Sequence, residues 1–511
     1  MNKLAGIFAM AALASACAVG PDYQPPEPAQ LAQFANDQRA PTTRSSNNEH
    51  LFWQGFDDPV LAGLIGQTMN SNLSLQAALA RYQEAEALLR GSRRDQLPSV
   101  TAGAGVAGQR LAEVERTRPD QERVELYQAG VALSWELDLF GRLRRTTEAS
   151  TAELQAAGAD QQSLQVALAG QMASSYFQMR GLQQQLQVAE ENISLQQASL
   201  DIVSARLEAG RGTLFDQVRA RAQLDATRAE IPQLKADIGA AMHRIAVLAG
   251  QTPTALVSLL QIPAALPDSQ PSIAAGSPGD VLRRRPDIQA AERRLAAANA
   301  RIGVATADLF PRFTLGALLG SLAGTGSDLF TGGAQTGRVA LGIDWSFLDR
   351  AMVQARIDAA DARYAELLAD YRQTVLLALE ETETWLLRYQ QSQERVALLQ
   401  SATDAATQAV KQARDRYDQG FIGYFELLAA EQELTAMRDN LVQSQTAMGL
   451  AMVNVYRALA GAPTLKNHPV VRDHTPTQRP SQDYAHSKRL HSSPTFASPE
   501  KQISYGKVAT K

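Results

Sequence analysis

Val339-Ala-Leu-Gly-Ile343-Asp-Trp345-Ser-Phe347-Leu-Asp349-Arg350 is where two kinds of periodicity meet. Val339, Leu341, Ile343, Trp345 and Phe347 fall on every second position, which predicts a strand with one apolar face. Asp349 then reads as a helix N-cap. From Arg350 neither Pro nor Gly occurs until Gly420, so about 69 residues can run as one helix, roughly 100 Å at 1.5 Å per residue. The design occurs once more upstream. Val131, Leu133, Trp135, Leu137 and Leu139 alternate in the same way, and Gly141-Arg142 opens a helical run that reaches Gly210. The run ends read Arg206-Leu-Glu-Ala-Gly210 and Arg416-Tyr-Asp-Gln-Gly420, and a carboxylate follows each glycine at Asp216 and Glu426. The chain is therefore an internal duplication.

Heptad spacing continues through both halves. Leu186, Ala189, Ile193, Gln196, Leu200, Val203 and Leu207 are answered on the way back by Ala220, Leu224, Thr227, Ile231, Leu234 and Ile238. Each half thus predicts an antiparallel coiled-coil hairpin, with a kink expected at Pro232. The returning legs, Leu214 to Gly250 and Tyr424 to Gly461, are too short and leave roughly 45 Å of each long helix unpartnered. Two shorter helices supply that length, Asn72 to Arg94 and Pro286 to Asp308. Each leads through Leu97-Pro98 or Phe310-Pro311 into another strand. Two of the four helical columns are therefore spliced from two pieces.

The chain opens with Met1-Asn-Lys3, an apolar core too short to span a bilayer, and Leu13-Ala-Ser-Ala-Cys17, the pattern of an export signal. Cys17 is the one cysteine of 511 residues and stands where a bacterial lipoprotein would be cut and acylated; the competing reading is a conventional signal with an incidental cysteine. The expected division is signal 1–16, extended N-terminal segment 17–71, first repeat 72–250, linker 251–280, second repeat 281–463 and a disordered tail 464–511. Net charge is −4, and no basic patch argues for nucleic acid. His243 has no second ligand at usable spacing, and no constellation suited to catalysis, a metal or another cofactor is evident. Gly103-Ala-Gly-Val-Ala-Gly108 has the spacing of a dinucleotide fingerprint, but no amphipathic helix follows it.

Past the signal no apolar run is long enough for a transmembrane helix, so any membrane crossing must be made of strands. Four strands cannot close a barrel, and open edges are not tolerated in lipid, which predicts strands pooled between chains. Three copies would give about twelve. Trp135, Trp345 and Phe347 are candidates for the membrane interface. Two other readings compete: four ordinary sandwich strands in a soluble protein, or an exported coiled-coil scaffold or adaptor without a channel.

Leu282-Arg-Arg-Arg-Pro286-Asp-Ile288-Gln-Ala-Ala-Glu292, Asn299-Ala-Arg-Ile302-Gly-Val-Ala and Leu309-Phe-Pro311 resemble the TolC-like outer-membrane factors of resistance-nodulation-division efflux systems, in the NodT/OprM lipoprotein branch. Cys17-Ala-Val-Gly20-Pro-Asp-Tyr23 and Trp53-Gln-Gly-Phe56-Asp-Asp-Pro59 match too, so the resemblance covers about residues 17 to 463. It implies a mainly helical homotrimer: a twelve-stranded β-barrel in outer-membrane lipid that continues into a periplasmic α-helical barrel. It also implies partners, a periplasmic adaptor docked on the hairpin tips at Gly210, Arg211, Gly420 and Phe421, and an inner-membrane transporter. Asp216, Arg416, Tyr417 and Glu426 match the positions that constrict the periplasmic entrance. Asp216 and Glu426 would also be favourable simply as first-turn carboxylates, and Tyr417 as seam packing. A further acidic position of the family is Ala429 here, in Leu427-Leu-Ala-Ala-Glu431. The resemblance also predicts a phenol-to-carboxylate hydrogen bond from Tyr417 to Asp216.

Overall fold

The computed structural model describes residues 18–26, 34–35, 52–116, 122–267 and 278–459. The expected export signal, the lipidation site Cys17 and the 464–511 tail lie outside these residues.

Four strands, β1 (Ser99–Arg110), β2 (Arg123–Leu137), β3 (Arg312–Ala323) and β4 (Gln335–Asp344), form one antiparallel sheet in the order β1-β2-β3-β4. Each repeat contributes a hairpin, and the repeats meet where β2 pairs with β3, Leu133 opposite Ala317 and Gly130 opposite Gly320. That junction is close: a Cβ on Gly320 would lie 2.4 Å from the Ala129 carbonyl oxygen, so only glycine fits. The fingerprint-like Gly103 to Gly108 runs inside β1. Alternation had carried the last strand to Phe347, but β4 stops at Asp344. The Trp345 indole N–H donates to the Leu309 carbonyl at 3.1 Å, and Phe347 starts a 3-10 turn instead. Asp349 does occupy the N-cap position that follows, though its carboxylate makes no cap bond.

The helices in chain order are α1 (Pro59–Ser71), α2 (Leu73–Asp95), α3 (Arg142–Glu208), α4 (Leu214–Leu248), α5 (Val257–Leu260), α6 (Pro278–Arg284), α7 (Pro286–Ala307), α8 (Arg350–Asp418) and α9 (Tyr424–Ala458). Helix α8 has the expected 69 residues. The heptad seam is buried at Ala189, Gln196 and Val203 on α3 and at Ala220, Leu224 and Thr227 on α4. Helix α4 passes Pro232 as one unbroken element. The first 71 residues are not all extended: α1 is a helix whose first turn is capped by Asp58, which accepts from the Val60 and Leu61 N–H groups at 2.9 and 3.0 Å. It packs into the largest core, where Phe52, Trp53, Phe56, Phe177 and Tyr456 meet at ring distances of 4.2 to 6.1 Å.

Both splices lie beside this core, which we call the belt. In the first, the Asn72 side chain accepts from the Ser74 and Leu75 N–H groups, capping α2, while its amide donates to the Leu248 carbonyl at the end of α4, 2.9 Å away. In the second, Arg285 precedes α7 and donates to the Ala458 carbonyl at the end of α9, 2.9 Å away. A neutral amide and a guanidinium thus satisfy equivalent orphan carbonyls. Below the sheet, Arg145 holds the N-terminal strap: its nearly buried guanidinium donates to the carbonyls of Val19 and Gly20 and pairs with Asp22 at 2.7 Å.

Candidate functional site: the hairpin tips and the strand faces

The two tips are built alike. Gly210 and Gly420 take φ of 71° and 79°, the left-handed region that glycine tolerates best. In each, two N–H groups turn back on the helix end: Gly210 to Leu207 and Arg211 to Arg206, Gly420 to Tyr417 and Phe421 to Arg416, all at 2.8 to 2.9 Å. The returning helices then begin with Asp216 and Glu426 in their first turns. Phe421 is 76% exposed and Phe425 59%, the latter with Arg219 over its ring at 5.2 Å.

The expected bond from Tyr417 to Asp216 is not formed. The Asp216 carboxylate instead accepts from the Thr213 hydroxyl at 2.7 Å, inside its own helix cap. Tyr417 is buried, and Arg206 lies over its ring, 3.9 Å from the centroid, with an N–H donated to the Tyr417 carbonyl. A partly screened contact of this type contributes about 1 kcal/mol. Arg206 is the duplicate of Arg416, and that duplication is the signal that could have found it. Arg416 itself is exposed and forms no ion pair among the described residues. Burial raises the Tyr417 phenol, and the Arg206 charge opposes the rise.

Ala429 is exposed, so the family's acidic side chain is missing from the surface there. A carboxylate two residues on, Glu431, is 6% exposed and lies between the hairpins. It accepts from Ser199 Oγ on α3 at 2.8 Å and from the Arg414 guanidinium on α8 at 2.7 Å. Burial first, then the Glu431 charge, pushes the nearby Tyr424 phenol up to about 12.

The sheet separates into two faces. Val131, Leu133 and Trp135 share one with Leu315, Leu319, Val339, Leu341 and Ile343; Val339 is 77% exposed and Leu319 71%. The other carries mainly Gly, Ala, Ser and Thr. Trp135 and Trp345 both lie at the helix end of the sheet, and their indole N–H groups donate to the carbonyls of Gln96 and Leu309, each at 3.1 Å. Amphipathic rings anchored this way suit a membrane boundary. Among the described residues no helix is long and apolar enough to cross a membrane.

The profile of the family described as outer membrane efflux protein matches residues 64–251 and 278–461. The chain belongs to that family. Nodulation protein T of Rhizobium leguminosarum bv. trifolii is 30% identical over 442 residues, 84% of this chain and 91% of its own length. The toluene efflux pump outer membrane protein TtgF of Pseudomonas putida is 30% identical over 462 residues, 89% and 96% of the two chains. Among solved structures, the outer-membrane channel OprN superposes with a TM-score of 0.82 at 40% identity, covering 87% of this chain and 99% of its own. The protein is an outer-membrane efflux channel, and its family is one of channels rather than enzymes. The apolar strand face is accordingly the lipid face, and the long helices form the extension beyond the membrane.

Proposed function

We propose that this outer membrane efflux protein works as a homotrimer, the exit duct of a tripartite pump, receiving small molecules from an inner-membrane transporter through a periplasmic adaptor. The observation that carries the reading is the sheet. Its apolar face is bare, and β1 and β4 are each paired on one side only within the chain. Open edges in hydrocarbon leave backbone groups unsatisfied at several kcal/mol each, so the edges must close on other copies. Three chains supply about twelve strands. The exposed tip residues Gly210, Arg211, Gly420 and Phe421 are the docking points for the adaptor. Asp216, Arg416, Tyr417 and Glu426 ring the entrance beside them, Tyr417 acting through Arg206. Cys17, directly before the strap that Arg145 holds, carries the lipid.

Light scattering from detergent-purified protein should give the mass of three chains, and deletion of the gene should raise drug susceptibility. A stable monomer that keeps its strands and helices would sink the pooled-barrel reading. An exported scaffold without a channel would leave the bare apolar face unexplained.

A further inference from the structure

The inward face of the sheet is almost without charge, and the exceptions are unevenly placed. Glu136, Arg312 and Asp344 stand at its helix end. There Glu136 takes a two-bonded contact from Arg142, and Arg312 pairs with Asp308. Arg338 stands apart. It is the fourth residue of β4 and faces Leu318 across the β3 pairing, at a level where the opposite face carries Val339 and Leu319. An arginine turned toward lipid at mid-bilayer is strongly unfavourable, so its place on the small-residue face fits a water-filled bore. It is exposed, and among the described residues no carboxylate and no hydrogen-bond acceptor reaches it.

The edge position matters because β4 would next pair with β1 of a neighbouring copy. The inward residues of β1 are Ser99, Thr101, Gly103, Gly105, Ala107 and Gln109, with no carboxylate among them. The inward residues of a neighbour's β1 therefore supply no counter-charge. We infer that Arg338 forms a ring of three unpaired guanidiniums inside the membrane bore, an anion-attracting station for solutes bearing carboxylate, sulfonate or phosphate groups. This rests on the trimeric reading above. Three like charges held in a narrow space with low-dielectric walls focus a positive potential, the reverse of the acidic field that Asp216 and Glu426 give the far entrance. Guanidinium forks also bind such oxyanions through paired N–H groups.

The test uses full-length protein in planar bilayers with tripolyphosphate as the probe, added separately to each side, after scattering has fixed the mass of the same sample. Wild type should be blocked from the strand side. Arg338→Gln should raise the half-blocking concentration by about tenfold or more, Arg338→Lys should stay near wild type, and both should remain trimeric. A wild-type trimer insensitive to tripolyphosphate from the strand side overturns the proposal by itself, as does an Arg338→Gln trimer blocked as well as wild type. A mass other than three chains overturns the trimeric reading, and the ring with it.

Discussion

Two of the ties between the second hairpin and the rest of the chain run through an arginine at different levels, and they differ in what the arginine meets. At the belt, Arg285 is nearly buried and meets charge: Asp287 at 2.7 Å, Glu381 at 2.9 Å and the Ala458 carbonyl, with Glu381 held again by Arg457 at 3.0 Å. At the tip, Arg206 meets only neutral groups, the Tyr417 ring and the carbonyls of Tyr417 and Asp418. Removing the first leaves two part-exposed carboxylates, Asp287 and Glu381, without that counter-charge, the second still held by Arg457. Removing the second leaves only neutral groups, the buried Tyr417 ring and two carbonyls. That difference in charge left behind leads us to expect a belt that stays closed and a tip that is released.

Three substitutions probe that contrast. Arg285→Ala should have the largest effect, about 2 to 4 kcal/mol after allowing for the part-exposed carboxylates, seen as a clear fall in the thermal midpoint of the helical circular dichroism signal. Asn72→Ala removes the neutral counterpart in the first splice and should cost about 1 kcal/mol, the usual value of a lost N-cap. Arg206→Ala should change the midpoint least, within about 1 kcal/mol, yet raise resting conductance in planar bilayers. If Arg206→Ala melts as low as Arg285→Ala, or conducts as wild type does, the contrast between a fixed belt and a releasable tip fails.

Much of this was legible in the sequence because its largest features are local and repeated. The absence of Pro and Gly from Arg350 to Gly420 gave the long helix, and the length mismatch between legs gave the two splices. The tip glycines marked where both long helices end. What stayed hidden depends on pairing across long sequence separations. The duplication marks Arg206 as the counterpart of Arg416 but not as the partner of Tyr417, since those two are adjacent only once the hairpins lie side by side. The resemblance at the tips favoured Asp216 as the phenol's acceptor, but Thr213, three residues away, satisfies that carboxylate first. Glu431 reads as one more surface acid until the packing of α3, α8 and α9 encloses it. The strand end at Trp345 was overrun because alternation continues after the backbone has turned.

The seam between β2 and β3 joins the second strand of one repeat to the first strand of the next. Because the repeats are duplicates, β4 offers a neighbouring copy the same kind of edge that β2 offers β3. A closed ring of three chains would hold six similar hairpins around one axis, with a pseudo-sixfold order beneath its threefold symmetry. Half of its seams would be made by the covalent chain and half by association. Each chain therefore carries within itself a template of the joint by which it recognises its own kind.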